Sequence, residues 1–295
     1  MINARRLNYH HLYYFWVVAK ELHLTRAAEA LHVSQSALSL QIRQLEESLG
    51  RALFLREGRA LQLSDFGQLV MGYAESIFDL GEELIAAVEG SESTNLQRLR
   101  VGAVSTLSRN FQENFLKPIL QLDQVSIIHA SASFDDLISR LRSHKLDLVL
   151  SNRSLNSSES GALRCKRIAR QSVCLVGPPQ EKRPAFRWPE DLQGHRLLLP
   201  GADSDIRNQF NLLCEELDLR IVTHAEVDDM AMLRLMARDS GRLAVVPDVV
   251  VQDELNSGIL ERYAVLPDVY ETFYAITAQR MVQPPLLRLL LSANS

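Results

Sequence analysis

The chain has 295 residues, 46% hydrophobic and 23% charged, the proportions of a soluble globular protein of about two domains. No apolar run reaches the roughly 18 residues that span a bilayer, and the N-terminal MINARRLNYHHLYYFW lacks a signal-peptide cleavage site, so a cytoplasmic protein without a membrane segment is expected. The net charge of −4 is uneven: residues 1–63 hold eight Lys/Arg against five Asp/Glu and residues 64–98 one against seven, so only the first segment suits phosphate.

Leu12, Phe15, Trp16, Ala19 and Leu22 recur at helical spacing and predict a first helix over about residues 9–22. Thr25 is placed to cap a short second helix, Arg26–Leu31, whose alanines at 27, 28 and 30 let another backbone approach. After His32-Val33, Ser34 caps a third helix, SQSALSLQIRQLEESLG. Leu38, Ile42, Leu45 and Leu49 step by four, three and four and form its buried face. Leu40 lies about 200° around the helix from Leu38, on an outward stripe with Ser36, Arg43 and Glu47. Two helices joined by so short a turn, the second with a polar outer face, are the plan of a helix-turn-helix, whose second helix enters the major groove.

In LFLREGRALQL, residues 53–63, two apolar runs flank Arg56-Glu57-Gly58-Arg59 and predict a hairpin with both arginines at its tip. Alone, tip arginines read as a solvated loop. Directly behind a helix-turn-helix, a basic wing on backbone phosphate is the better reading.

The stretch from Phe15 to Gly67 resembles the winged helix-turn-helix of the LysR-type transcriptional regulators. Thr25, Ala27, Ala28, Leu31, Ser34, Gln35, Ala37, Leu38, Ser39, Ile42, Leu45, Glu46, Leu49, Gly50, Leu53, Phe54, Arg56 and Gly67 fall where that family has them. LNYHHLYYFW and QIRQLEESL are similar to the branch that activates a sodium/proton antiporter gene. Ser36, often proline in the family, and Leu40, often basic or small and polar, depart from the pattern. The resemblance implies a domain over residues 8–66 that binds a double-stranded operator. It places Thr25, Arg26, Ser34, Gln35, Ser36, Ser39, Leu40 and Arg43 near DNA and gives Arg56 and Arg59 to the wing. Glutamine can bond adenine twice, arginine can reach guanine or phosphate, and leucine can pack only on a thymine methyl. The bland alternative packs Leu40 on the wing or a partner subunit.

Ser64-Asp65 caps a long helix predicted to reach about residue 89. Phe66, Val70, Tyr73, Ile77, Leu80 and Leu84 alternate steps of four and three, a heptad register that argues for a coiled coil. Residues 64–90 are therefore read as a dimerisation helix of a homodimer or homotetramer, and the polar residues 91–98 as a hinge.

From residue 99, strand-like and helical patterns alternate, which predicts α/β structure with mainly parallel strands and an α+β multidomain chain overall. Such folds bind ligands beyond the carboxyl ends of strands. The candidates are Ser105, Thr106 and Ser108 after the first strand, Ser131 and Ser133 after the second, and Asp203 and Ser204 after RLLLP. Each serine reads equally well as a plain helix cap. The resemblance implies a two-lobed, periplasmic-binding-protein-like effector domain over residues 99–295. One lobe would be 99–168 with 270–295, the other 169–269, with a small effector between them.

Under the antiporter-branch likeness the effector would be Na⁺ or Li⁺, with Asp203, Asp205, Asp228 and Asp229 as oxygen ligands, although acids at helix starts usually serve the dipole. The alternative is an unrelated operon with an organic effector. RNA polymerase is the further partner the resemblance implies, for an activator. Cys165, Cys174 and Cys214 fit no zinc spacing. In the peroxide-sensing branch a reactive cysteine follows the RLLLP-like strand; residues 201–206 hold none, which disfavours redox sensing. Residues 99–295 carry no P-loop, G-x-G-x-x-G, nucleophile elbow or H-E-x-x-H, so neither an enzyme nor a cofactor is expected.

Overall fold

The computed structural model describes residues 7–57, 60–88, 97–179, 186–279 and 283–294. Contacts divide the chain into two compact units, residues 1–97 with 139–146, and residues 98–138 with 147–295.

The first unit begins with α1 (Tyr9–Glu21), α2 (Leu24–Ala30) and α3 (Gln35–Leu49). Asn8 caps α1, its side chain accepting from the N–H groups of His10 and His11, and Leu12, Phe15, Val18 and Ala19 are its buried face. Leu22 does not belong to that face: it ends the helix in a left-handed conformation (φ 50°) and is exposed. The cap of α2 is His23, not Thr25; its Nδ1 accepts from Arg26 N–H at 3.4 Å, so α2 begins one residue before Thr25. Ala27 and Ala28 are buried, whereas Ala30 faces out. Ser34 caps α3 as its position predicts, and Leu38, Ile42 and Leu45 are buried.

The hairpin strands β1 (Phe54–Glu57) and β2 (Ala60–Leu63) pair antiparallel from Phe54↔Leu63 to Glu57↔Ala60. Glu46 of α3 clamps β1, its Oε1 accepting from Leu53 N–H at 2.7 Å and Phe54 N–H at 3.3 Å. Ser64 links the wing to α4 (Asp65–Val88): its Oγ accepts from Gly67 N–H at 2.9 Å and donates to the Ala52 carbonyl at 2.8 Å. These bonds satisfy groups that a helix start leaves unpaired.

The second unit is built on an eight-stranded sheet in the order β4-β3-β5-β10-β6-β9-β7-β8. Its strands are β3 (Gln97–Val104), β4 (Val125–Ala132), β5 (Leu148–Ser151), β6 (Leu163–Gly177), β7 (Arg196–Pro200), β8 (Val222–Val227), β9 (Leu243–Pro247) and β10 (Glu261–Ala278). β3 runs parallel to β5, and β7 parallel to both β8 and β9. The expectation of mainly parallel strands needs correction at the centre, where β10 is antiparallel to β5 and β6, and β6 to β9. β6 and β10 are long, charge-interrupted strands that pair with each other over most of their length, so apart from residues 173–176 local apolar runs do not announce them.

The helices of this part of the chain are α5 (Arg109–Leu120), α6 (Phe134–Arg142), α7 (Ser157–Ser160), α8 (Asp205–Glu216), α9 (Met230–Asp239), α10 (Gln252–Asn256) and α11 (Pro285–Ala293). The sheet core is aliphatic, with Val101, Leu148, Val149, Leu150, Leu197, Leu198, Val245 and Val246 all buried. Among the described residues no helix is long and apolar enough to cross a membrane.

Candidate functional site

The outer face of α3 combines three properties. Its first turn holds no acidic residue, so the unpaired N–H groups and positive dipole end are unopposed. Ser34, Gln35, Ser36, Leu40 and Arg43 are all exposed there, with Ser39 half-buried beside them. Of the two acids that follow, Glu46 is turned inward onto β1 and only Glu47 faces out. Ser34 is committed to structure: its Oγ accepts from Ala37 N–H at 3.2 Å and lies 3.1 Å from Ser36 Oγ. Gln35 and Arg43 are long exposed side chains there that can donate hydrogen bonds. An anion with stacked hydrogen-bonding edges, the major groove of a duplex, matches such a face.

Leu40 is 54% exposed, so the core of its own domain does not account for it. On α2, Thr25 and Arg26 are also exposed. Arg26 donates through its Nη2 to the Glu21 carbonyl at 3.3 Å and lies 3.9 Å from that side chain's carboxylate, an exposed pair that contributes little to stability. The backbone of Arg56 lies in β1, while its side chain and the whole of Arg59 lie outside the described residues.

The structure divides the heptad set of α4. Phe66, Val70 and Ile77 pack against the core of the chain's own N-terminal domain, as do the buried Met71 and Ala74. Tyr73, half exposed, lies with its ring 4.2 Å from that of His144, whereas Leu80 and Leu84 point away from the core and are each 65% exposed. Leu69 shares that outer stripe, and Ile85 and Val88 are exposed too. One register therefore merged two faces of the helix: one covers the domain, the other is open. A charged protein does not leave a ladder of large apolar groups in water without a partner surface.

In the second unit, Ser105 and Thr106 are exposed after β3, and Ser105 N–H donates to the Ala132 carbonyl at 3.2 Å, which brings the first two hydroxyl loops together. Ser131 and Ser133 are exposed, and Ser133 Oγ accepts from Asp136 N–H at 3.5 Å. Ser108 is 2% exposed and caps α5 through Phe111 N–H at 3.3 Å. It is a structural cap. Asp203 is exposed and Ser204 half-buried, without a cap bond from its side chain. Asp228 lies over Gly201, its Oδ1 1.7 Å from where a β-carbon would be, so a side chain there would have to displace the Asp228 carboxylate. Asp229 caps α9 through Ala231 N–H at 2.7 Å, and Asp205 accepts from Gln209 at 2.9 Å. No three His, Cys, Asp or Glu residues among those described are grouped to hold a metal ion.

Sequence reasoning missed Glu271. It is 3% exposed, and its Oε1 accepts from Asn152 Nδ2 at 3.1 Å. Burial pushes its carboxyl up to about 7, with Asp205 adding to the rise and the Asn152 bond opposing it. The signal was present: in Val269-Tyr270-Glu271-Thr272-Phe273 an acid takes an inward position between buried apolar residues.

The cysteines are free thiols. Burial pushes Cys174 up to about 12 and Cys214 up to about 11, the reverse of what a reactive thiolate needs.

Residues 9–68 match the family described as "Bacterial regulatory helix-turn-helix protein, lysR family", and residues 93–293 match "LysR substrate binding domain". The chain is 30% identical over 287 residues to the transcriptional activator protein NhaR of Escherichia coli K12, covering 96% of this chain and 94% of that one. Among solved structures, full-length OxyR of Pseudomonas aeruginosa superposes with a TM-score of 0.62 at 22% identity, covering 97% and 94%. DarR of Vibrio fischeri, solved in complex with DNA, superposes at 0.53 and 20% identity, covering 97% of each chain.

Proposed function

The chain belongs to the LysR family of transcriptional regulators, and we propose that it reads a double-stranded operator through the outer face of α3. The observation that carries this reading is that face itself: Gln35, Ser36, Leu40 and Arg43 exposed on a helix whose first turn has no acid. Thr25, Arg26, Ser34 and Ser39 flank them, and Arg56 and Arg59 of the wing add phosphate contacts. The protein acts in the cytoplasm as a homodimer or higher homo-oligomer, pairing through the open stripe of α4. Two reading helices then meet successive turns of one DNA face.

Residues 99–295 are the sensor, in lobes 99–168 with 270–295 and 169–269. Ser105, Thr106, Ser131, Ser133, Asp203, Ser204 and Asp228 stand at the ends of its strands. The full-length likeness to a transcriptional activator supports activation, with RNA polymerase as the partner, and a regulator rather than an enzyme. Asp205 and Asp229 are engaged with Gln209 and the start of α9, and Asp228 rests on Gly201. We therefore read the effector as organic, with Na⁺ or Li⁺ the alternative supplied by the antiporter-branch likeness.

Leu40 gives a test of the DNA face. Leu40→Ala should leave the melting temperature nearly unchanged, because exposed substitutions stay within about ±0.5 kcal/mol. It should weaken the preferred operator, and replacing one operator thymine by uracil should mimic that loss without adding to it. A thymine-to-uracil scan in which no position loses its effect in Leu40→Ala would exclude the methyl contact. A large fall in melting temperature would place Leu40 in a protein interface instead.

A further inference from the structure

The two central strands carry a polar pair in which each side chain leaves one buried oxygen without a hydrogen-bond partner. Glu271 of β10 and Gln171 of β6 are direct partners in the antiparallel register, so their side chains leave the sheet on one face. Glu271 Oε2 and Gln171 Oε1 are both buried, and neither has a hydrogen-bond partner. Both atoms are acceptors. Stranding an acceptor away from water is costly, more so for an ionised carboxylate.

The surroundings offer little relief. Asn152, just beyond β5, donates to the other carboxylate oxygen. From α8, Asp205 faces Glu271 as a second negative charge, and Gln209 spends its amide on Asp205 and on the Tyr270 backbone. From α5, the apolar Phe111 stacks on Phe273 of β10 at 3.7 Å. The nearest cation on β6, Arg170, lies one position along, on the opposite face, over the Tyr270 ring. Glu271 is buried, Asn152, Gln171 and Gln209 are half-buried, and Asp205 is exposed. Asn152 and Asp205 follow the carboxyl ends of β5 and β7, where such folds take ligands.

We propose that Glu271 Oε2 and Gln171 Oε1 seat a positively charged, N–H-bearing group of the effector, such as a primary ammonium. This rests on reading residues 99–295 as the sensor and adds the ligand's chemistry. Two or three convergent acceptors with net negative charge match the donors of an ammonium. A bare metal cation wants more oxygens than these. Without a cation, a proton on Glu271 neutralises the buried carboxylate instead.

The proton fixes a sign that a structural role would not. The carboxyl is raised from its ordinary value of 4.5 to about 7, so it favours folding at low pH and loses that contribution as pH rises toward about 7. A cation binds only the ionised form, so its apparent affinity should rise about tenfold between pH 6 and pH 8, with proton release near one at pH 6 and falling toward none at pH 8.

The test is thermal denaturation of the full-length protein in methylammonium chloride, tetramethylammonium chloride, NaCl and LiCl at equal ionic strength. Methylammonium should raise the melting temperature by about 2 °C over tetramethylammonium at pH 8, and by less at pH 6. Glu271→Gln and Gln171→Leu should each abolish that difference while keeping the wild-type circular dichroism spectrum. If Glu271→Gln does not fold, Gln171→Leu alone decides. Equal shifts with Na⁺ or Li⁺, no shift over tetramethylammonium, or a shift that survives in the variants would each overturn the proposal. Operator binding by the same preparation separates the two readings. If it persists without an ammonium response, only this site is lost; if the wild type binds no operator, the regulator reading itself is lost.

Discussion

Leu80→Asp combined with Leu84→Asp should convert the protein from an oligomer into monomers of 33.3 kDa that protect at most one half-site. Both leucines are 65% exposed, so neither change removes a contact from the domain's own core. In a two-fold pair each substitution counts twice. Burying a leucine contributes roughly 1.5–3 kcal/mol, and a carboxylate without a partner at the same place adds a penalty of its own. The combined loss should weaken self-association by on the order of a thousandfold or more. Ile77→Asp is the contrasting change: Ile77 packs on the domain core, so it should lower the melting temperature rather than simply separate subunits. Light scattering distinguishes the outcomes. Intact oligomers in the double variant would mean that the open stripe of α4 is not the seam.

Gly67→Ala should strongly destabilise the N-terminal domain. A β-carbon at Gly67 would stand 2.0 Å from the Leu53 carbonyl oxygen and 3.0 Å from its carbon, both backbone atoms that no rotamer change can move. That same oxygen accepts from Ser64 N–H at 2.9 Å, and Leu53 N–H is held by Glu46. The added methyl must therefore separate the first turn of α4 from the wing. Overpacking of this kind costs on the order of 3 kcal/mol, enough to lower a small domain's melting temperature by roughly 10 °C or more. Gly81→Ala is the control. Nothing lies within 4 Å of its β-carbon, and alanine is the better helix former by about 1 kcal/mol. It should melt at or slightly above the wild type. If Gly67→Ala melts there too, α4 does not start against Leu53 in the way described.

The N-terminal unit was legible because its signals are local. Ser34 caps α3, three of its four spaced apolar residues are buried and Leu49 half-buried, and the apolar runs around 56–59 pair as strands. His23 escaped because histidine is not an ordinary cap, and its ring nitrogen acts only in one orientation. The division of α4 escaped for a different reason. Phe66 and Ile77 lie close to Leu80 and Leu84 in heptad register, and sequence does not say where the domain ends its cover of the helix. In the second unit, the parallel strands were legible as short apolar runs. Of β6 only the apolar run at residues 173–176 reads as a buried strand; its first half and β10 did not, because they alternate or carry charges and are stabilised by a partner about a hundred residues away. The same distance hid the facing of Gln171 and Glu271. Hydroxyl-rich loops advertise themselves in sequence, whereas two orphan acceptors need the register to be known.

The central claim is that α3 reads DNA sequence, and selection from a random duplex library with the full-length protein tests it most directly, run in parallel with Gln35→Ala. The wild type should enrich two related half-sites, each facing one reading helix and separated by whole helical turns. Gln35→Ala should stay folded and oligomeric yet lose preference at one position in each half-site, by about 1–3 kcal/mol, with the other positions unchanged. Enrichment of no motif, or the same motif with undiminished preference in Gln35→Ala, would contradict the assignment of α3 as the reading helix.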